Sequence, residues 1–385
     1  MRSKVFFFII FLSLILAIVV PNWAPGRGEV DFIRYWSSTR LMLTQNNPYD
    51  MDILRKLDLI PPEKMKDWKL VETWNPPWLL LILSPIGILP FEIAVPVWTF
   101  INTLLICLAM YITWSYYASP EDQKSLLVVL LLTFWYSNTL LTIQIGQISS
   151  ILLISIVLGA YWMDRKKYFL AGLILALLTI KPHITYLALF TIFIWGLRHK
   201  QWKLFYGMAI MIMLSFLFVW IFVPGWLGFY LNTLQKLPLS NMSTSTFTSL
   251  VELLWGFSGF RYTAFFLLPL AIPLSQKVEK SNWLSTLNIA LLVSVPFSLY
   301  GFSFDQIVFL PAIIEMVFWI RNHIISKPAS QLLLIGLSIV YLSVILLRLI
   351  PGMIYTFMVI PSLFLLIIYF IAFWLKVNET KLHPA

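Results

Sequence analysis

The 385-residue sequence predicts an all-α integral membrane protein, a polytopic helical bundle of about 12 transmembrane helices. Three observations carry that prediction. Hydrophobic residues make up 60% of the chain and charged ones 11%, with a mean hydropathy of +0.85. A soluble domain carries about 25% charged residues, and a water-soluble enzyme of this length could not hide so much apolar surface. Apolar segments recur along the whole chain, and short basic clusters separate many of them. The 17 Trp, 16 Tyr and 30 Phe suit a protein with two membrane interfaces to line.

Taken in order, apolar segments fall near 5–23, 76–90, 93–117, 125–142, 147–163, 168–180, 182–197 and 203–223. They continue near 262–275, 284–300, 305–320, 330–350 and 352–375. The first, behind Arg2 and Lys4, reads as an uncleaved signal anchor because no small-x-small cleavage site follows it. Pro182, Pro269, Pro273 and Pro311 interrupt later segments, and broken helices are tolerated where protein or a wet cavity surrounds them. The basic loops Asp164–Lys167, Arg198–Lys203, Gln276–Lys280 and Arg321–Lys327, with the tail after Lys376, are expected on the cytoplasmic side, as is the N-terminus. A simple crossing at 76–90 would invert every later segment. Prolines begin it, break it at Pro85 and end it at Pro90, so a re-entrant or interfacial element is expected there.

The whole of 1–385 reads as one transmembrane domain with two outer loops, about 24–75 and 224–261. The net charge of +10 does not point to nucleic acid, because the positive residues sit in short clusters that topology explains. Cys107, inside the apolar run Leu104–Met110, has no partner for a disulfide. His183, His199, His323 and His383 are scattered, so no metal and no cofactor is expected.

The first outer loop holds eight of the 17 acidic and eight of the 27 basic residues. Within it Asp31 lies among aromatic residues and Arg34, a mixture suited to binding sugar at a membrane surface. A carboxylate in such surroundings can serve as a general base, or simply pair with Arg27 or Arg34. Lys181, at the tip of an apolar hairpin, is costly to place there unless functional, although long Lys side chains also snorkel to headgroups. Arg348, near an outer helix end, is a weaker cation of the same kind, for which snorkelling is the favoured reading. Gly146–Gln147 occupies another outward tip, where Gln147 could meet sugar hydroxyls or cap helix ends. Asp305 opens a helix, where the dipole favours a carboxylate. The stretch Pro238–Ser249 is rich in Ser, Thr and Asn and contains the sequon Asn241–Met242–Ser243, a plain linker or an acceptor-covering loop.

Several of these motifs fall in an order that resembles glycosyltransferase family 87, within the C-type membrane glycosyltransferases. They are Asp31 with Tyr35, Asn47–Pro48–Tyr49–Asp50, Trp74–Asn75–Pro76–Pro77–Trp78 and Ser84–Pro85–Ile86–Gly87–Ile88–Leu89–Pro90. Gly146–Gln147, Leu170–Ala171–Gly172–Leu173, Lys181–Pro182, Pro296–Phe297–Ser298 and Phe304–Asp305 follow. The resemblance implies a C-type fold with a catalytic first outer loop. It also implies an inverting transferase that moves mannose from a polyprenyl-phosphate donor to a glycolipid or glycan acceptor. Asp31 would be the base, Lys181 would hold the lipid phosphate, and Arg34, Tyr35, Trp74, Asn75, Gln147 and Asp305 would bind substrate. The expected setting is the outer face of a bacterial plasma membrane, among membrane lipids. Relatives often carry a His in the later loop, and Ser298–Ser303 here has none, which leaves the acceptor and any second polar helper open. A transporter or flippase of lipid-linked sugar would place charges near the bilayer midplane. An O-antigen-ligase-like polymerase would place its charged loop late in the chain, whereas here that loop is the first.

Overall fold

A computed structural model describes residues 2–23, 31–50, 53, 73–119, 122–236, 244–278, 281–350 and 354–382. The described residues form helices and turns, with no strand among them. In chain order the α-helices are α1 (Arg2–Trp23), α2 (Phe32–Leu43), α3 (Trp78–Gly87), α4 (Phe91–Tyr117), α5 (Gln123–Trp135) and α6 (Ser137–Gln144). Next come α7 (Ser149–Asp164), α8 (Tyr168–Leu175), α9 (Pro182–Arg198), α10 (Trp202–Phe222), α11 (Trp226–Gln235) and α12 (Phe247–Trp255). The last five are α13 (Ala271–Lys277), α14 (Trp283–Ser294), α15 (Leu310–Arg321), α16 (Lys327–Leu349) and α17 (Val359–Leu382). 3-10 turns over Ala176–Ile180, Ser258–Leu270, Ser303–Phe309 and Tyr355–Met358 lead into or out of these helices.

The expected number of crossings is not met by helix length and composition. Among the described residues five elements are long and apolar enough to cross a membrane: Phe91–Tyr117, Trp202–Phe222, Ser303–Arg321, Lys327–Leu349 and Tyr355–Val377. A sixth results if α5 and α6, bent by 66° about Tyr136, count as one span. Several of the remaining apolar segments are cut short by turns. Helix α14, with 12 residues, rises only about 18 Å against a hydrocarbon core of about 30 Å. Two of these short helices lie inside the bundle: every residue of α14 is buried, as are most of α7. At the periphery, only 22% of the apolar window of α10 is buried, against 83% for Ser303–Arg321.

Helix α3 is not among the elements long enough to cross a membrane. Its ten residues span about 15 Å, and each of its flanks is tied to a neighbouring element. Before it, Asn75 Nδ2 donates to Ile180 O at 3.3 Å; after it, Trp36 Nε1 donates to Leu89 O at 3.1 Å and Arg40 to Ile88 O at 2.9 Å. Gly87 lets α3 lie against α2, since a Cβ there would stand 2.5 Å from Thr39 Cγ2.

The basic loops gather at the opposite end of the bundle. Asp164 accepts from Trp283 N at 3.0 Å, Arg198 donates to Ser275 Oγ at 3.3 Å, and Arg321 pairs with Asp122. Next to these basic loops, the first turns of α8 and α10 touch backbone to backbone. A Cβ on Gly172 would meet Leu204 O at 2.1 Å and one on Gly207 would meet Phe169 O at 2.2 Å. Small residues allow such close helix approach in membrane proteins, so Leu170–Ala171–Gly172–Leu173 is a packing motif here.

Candidate functional site

The site is assembled where three chain reversals meet the start of α2. Gly146, at φ +67, makes the left-handed turn between α6 and α7 that an L side chain resists. A Cβ at Gly146 would also stand 2.5 Å from Phe32 Cβ, so the turn sits directly against α2. Its carbonyl accepts Trp98 Nε1 at 2.8 Å, and Ile145 O accepts the backbone N–H groups of Asp31 and Phe32, both at 3.2 Å. The first outer loop and the α6–α7 turn are thereby fastened together.

On this frame Gln147 Nε2 donates to Asp31 Oδ2 at 2.7 Å. Gln147 Oε1 accepts Lys181 Nζ at 2.9 Å, Tyr35 OH at 3.0 Å and Ile148 N at 3.2 Å. Lys181 Nζ also donates to Asp305 Oδ1 at 2.7 Å and to Ser149 Oγ at 3.2 Å, and its ammonium lies 5.0 Å from the Phe304 ring centre. Asp305 Oδ1 takes a further bond from Ser149 Oγ at 2.8 Å, while Oδ2 accepts Phe302 N at 3.1 Å. One continuous chain therefore runs Asp31–Gln147–Lys181–Asp305. The side chains of Lys181 and Asp305 are almost wholly buried, while Asp31 is 14% and Arg34 28% exposed. The open end of the chain is thus the Asp31–Arg34 end.

The structure brings together Asp31, Arg34, Tyr35, Gln147, Lys181 and Asp305 and assigns several of them different work from that expected. Tyr35 is 5% exposed and donates to Gln147, so its ring is not open to a sugar. Burial, reinforced by the Asp31 carboxylate, pushes its phenol well above the usual range and keeps it a neutral donor. Lys181 does not snorkel; its three protons already have protein acceptors. Gln147 accepts from Ile148 N at the start of α7 and also donates to the Asp31 carboxylate, a partner that neither expected role supplied. Asp305 likewise caps its own helical turn with one oxygen and holds Lys181 with the other. Asn75 holds the carbonyl just before Lys181, and Trp74 is half-buried and outside the hydrogen-bonded chain.

Arg34 faces Asp31 at 3.7 Å, a loose ion pair. Arg348 is no snorkelling residue: it donates to Ser137 O at 3.0 Å and to Asn138 Oδ1, pinning the α5–α6 bend. Arg27, residues 54–72 and the sequon Asn241–Met242–Ser243 lie outside the described residues.

Sequence reading overlooked Ser149, Asn138 and Gln306. Asn138 Nδ2 donates to Gln306 Oε1 at 3.0 Å, and Thr142 Oγ1 to Phe304 O at 3.1 Å, docking α6 on the turn that presents Asp305. The available signal was their polarity inside apolar segments, where buried polar groups need partners. No group of three or more His, Cys, Asp or Glu side chains that could hold a metal occurs among the described residues.

No curated protein and no solved structure matches the chain. The family model of glycosyltransferase family 87 matches residues 73–295, more than half of the chain. That span contains Gln147 and Lys181, while Asp31 and Asp305 flank it. With several membrane-length apolar helices around a buried polar site, the chain belongs to glycosyltransferase family 87 and is a multi-pass membrane glycosyltransferase.

Proposed function

We propose that this glycosyltransferase moves mannose from a polyprenyl-phosphate donor to a glycolipid or glycan acceptor, with inversion, at the outer face of the membrane. The observation that carries the reading is the placement of Asp31: a partly exposed carboxylate, held on one oxygen by Gln147 and flanked by the most exposed cation of the site, Arg34.

In the proposed reaction the acceptor hydroxyl oxygen attacks the anomeric carbon of the sugar from the face opposite the phosphate. Its proton passes to Asp31, the carbon–oxygen bond to phosphate breaks, and polyprenyl phosphate departs with the bonding electron pair. A single displacement needs one base and no covalent enzyme intermediate. The leaving group gathers negative charge, and Arg34 stands beside the carboxylate to steady it. The prenyl tail remains among the membrane lipids. The outer-face assignment rests on the basic loops, which collect at the end of the bundle opposite Asp31.

The test is sugar transfer by purified protein in lipid vesicles, with polyprenyl-phosphate-mannose and a panel of glycolipid acceptors. Wild type should transfer and Asp31→Asn should not. Equal transfer by both defeats the base assignment, and transfer only from another prenyl-phosphate sugar replaces mannose.

A further inference from the structure

We infer that Lys181 is a positioning residue: clamped by Asp305, it fixes the amide of Gln147 so that Asp31 is held by Oδ2 and presents Oδ1 to the acceptor. The inference rests on the proposed reading of Asp31 as the base and adds which oxygen takes the proton and what sets it.

The orientation of the Gln147 amide has a single solution. Three donors converge on Oε1, from Lys181, Tyr35 and Ile148, and Nε2 faces a carboxylate. A flipped amide would oppose donors to donors and place its oxygen against Asp31 Oδ2. Of the three donors, only Lys181 is charged, and hydrogen bonds from a charged donor are roughly twice as strong as neutral ones. Lys181 can hold that place because Asp305 compensates its buried charge, and Asp305 is itself fixed by Ser149 Oγ and Phe302 N.

The consequence reaches the chemistry. With one lone pair of Oδ2 engaged and its charge partly neutralised by the Gln147 N–H, Oδ1 is the oxygen left more open and more basic for a proton arriving at Asp31. That oxygen faces Arg34 at 3.7 Å. Lys181 has no N–H left for a phosphate, since Gln147, Ser149 and Asp305 take all three.

The test compares wild type, Asp31→Asn, Gln147→Leu and the double variant Lys181→Met/Asp305→Leu, which removes the buried pair without stranding either charge. Two readouts are taken on folded protein in vesicles. One is the kcat and donor KM for polyprenyl-phosphate-mannose. The other is the infrared carboxylate band of Asp31 in protein labelled with carbon-13 at aspartate side chains, assigned by its loss in Asp31→Asn and requiring no substrate. Gln147→Leu and the double variant should each lower kcat by about tenfold or more, leave donor KM within about twofold, and shift the same infrared band.

A double variant whose donor KM rises about tenfold at unchanged kcat would assign Lys181 to the phosphate and overturn the inference. An unmoved infrared band would overturn it as well, even if the wild type proves inactive with this donor. Inactivity of the wild type, or normal turnover by Asp31→Asn, counts against the proposed reaction instead, so the two failures are separable.

Discussion

Gln147 joins Asp31 to Lys181 through the two ends of one amide, with Nε2 2.7 Å from Asp31 Oδ2 and Oε1 2.9 Å from Lys181 Nζ. Asp31, the partly exposed carboxylate among the described residues of the site, is thereby fixed by a cation that never touches it. Chemistry at the open end depends on packing at the buried end, and the following expectations draw on that dependence.

Replacing Asp31 by Asn keeps the size of the side chain and removes the base. Turnover should fall by about 10²- to 10⁴-fold, the usual contribution of a positioned general base. A thermal melt close to that of the wild type would show that the loss is chemical.

Gly146→Ala should harm both stability and activity. The left-handed backbone costs an L residue roughly 1–2 kcal/mol, and the new methyl would press on Phe32, the neighbour of Asp31. Melting temperature and kcat should fall together. An unchanged melt would remove the strained turn from the account.

Lys181→Ala should be strongly destabilising, by about 3–5 kcal/mol, because it leaves Asp305 buried without its cation. Lys181→Met/Asp305→Leu should recover most of that loss. Denaturation of the three proteins in one detergent checks the order; a double variant no better than the single would show that the pair is not the source.

Gly172→Ala introduces a methyl where Leu204 O stands 2.1 Å away, so α8 and α10 must separate. Rigid backbone offers no room to yield, and the packed α8–α10 contact should be lost. A melt unchanged from that of the wild type would show that the two helices can part without cost.

At the opposite end, the Arg321 guanidinium beside Asp122 holds that carboxyl below its usual range. A depressed folded-state value means that the stabilisation is fully present above the unfolded carboxyl range and is lost as pH falls through the lower folded-state value. Arg321 is exposed and Asp122 partly exposed, so the effect should be small. Arg321→Ala should lower the melting temperature slightly at neutral pH, and the deficit should shrink as pH falls from the unfolded carboxyl range through the lower folded-state value. A deficit that stays equal across that range would assign the loss to packing.

Several members of the site were legible one at a time. Lys181 stands out as a charge in an apolar hairpin, Asp305 as a carboxylate opening a helix, and Gly146–Gln147 as a turn between apolar segments. Their convergence was not legible. Gln147 reaches Asp31 across 116 positions of sequence and Lys181 reaches Asp305 across 124, and no periodicity or local spacing encodes such a meeting. The expected number of crossings failed for a related reason. Apolar content marks what can enter a membrane, but the turns at Tyr136 and at Ala176–Ile180 cut that content into short helices.

The sequence by itself determined that this is a helical membrane protein, because so large an apolar fraction admits no soluble fold. Its basic clusters also determined which loops share a side. Only the tertiary structure decided that Tyr35 is buried, that Lys181 spends its protons on Gln147, Ser149 and Asp305, and that Asp31 keeps one oxygen open. The physical reason is that a buried polar group takes whichever partner lies within hydrogen-bond reach. That partner is set by how helices pack, and packing joins residues that are remote in the chain.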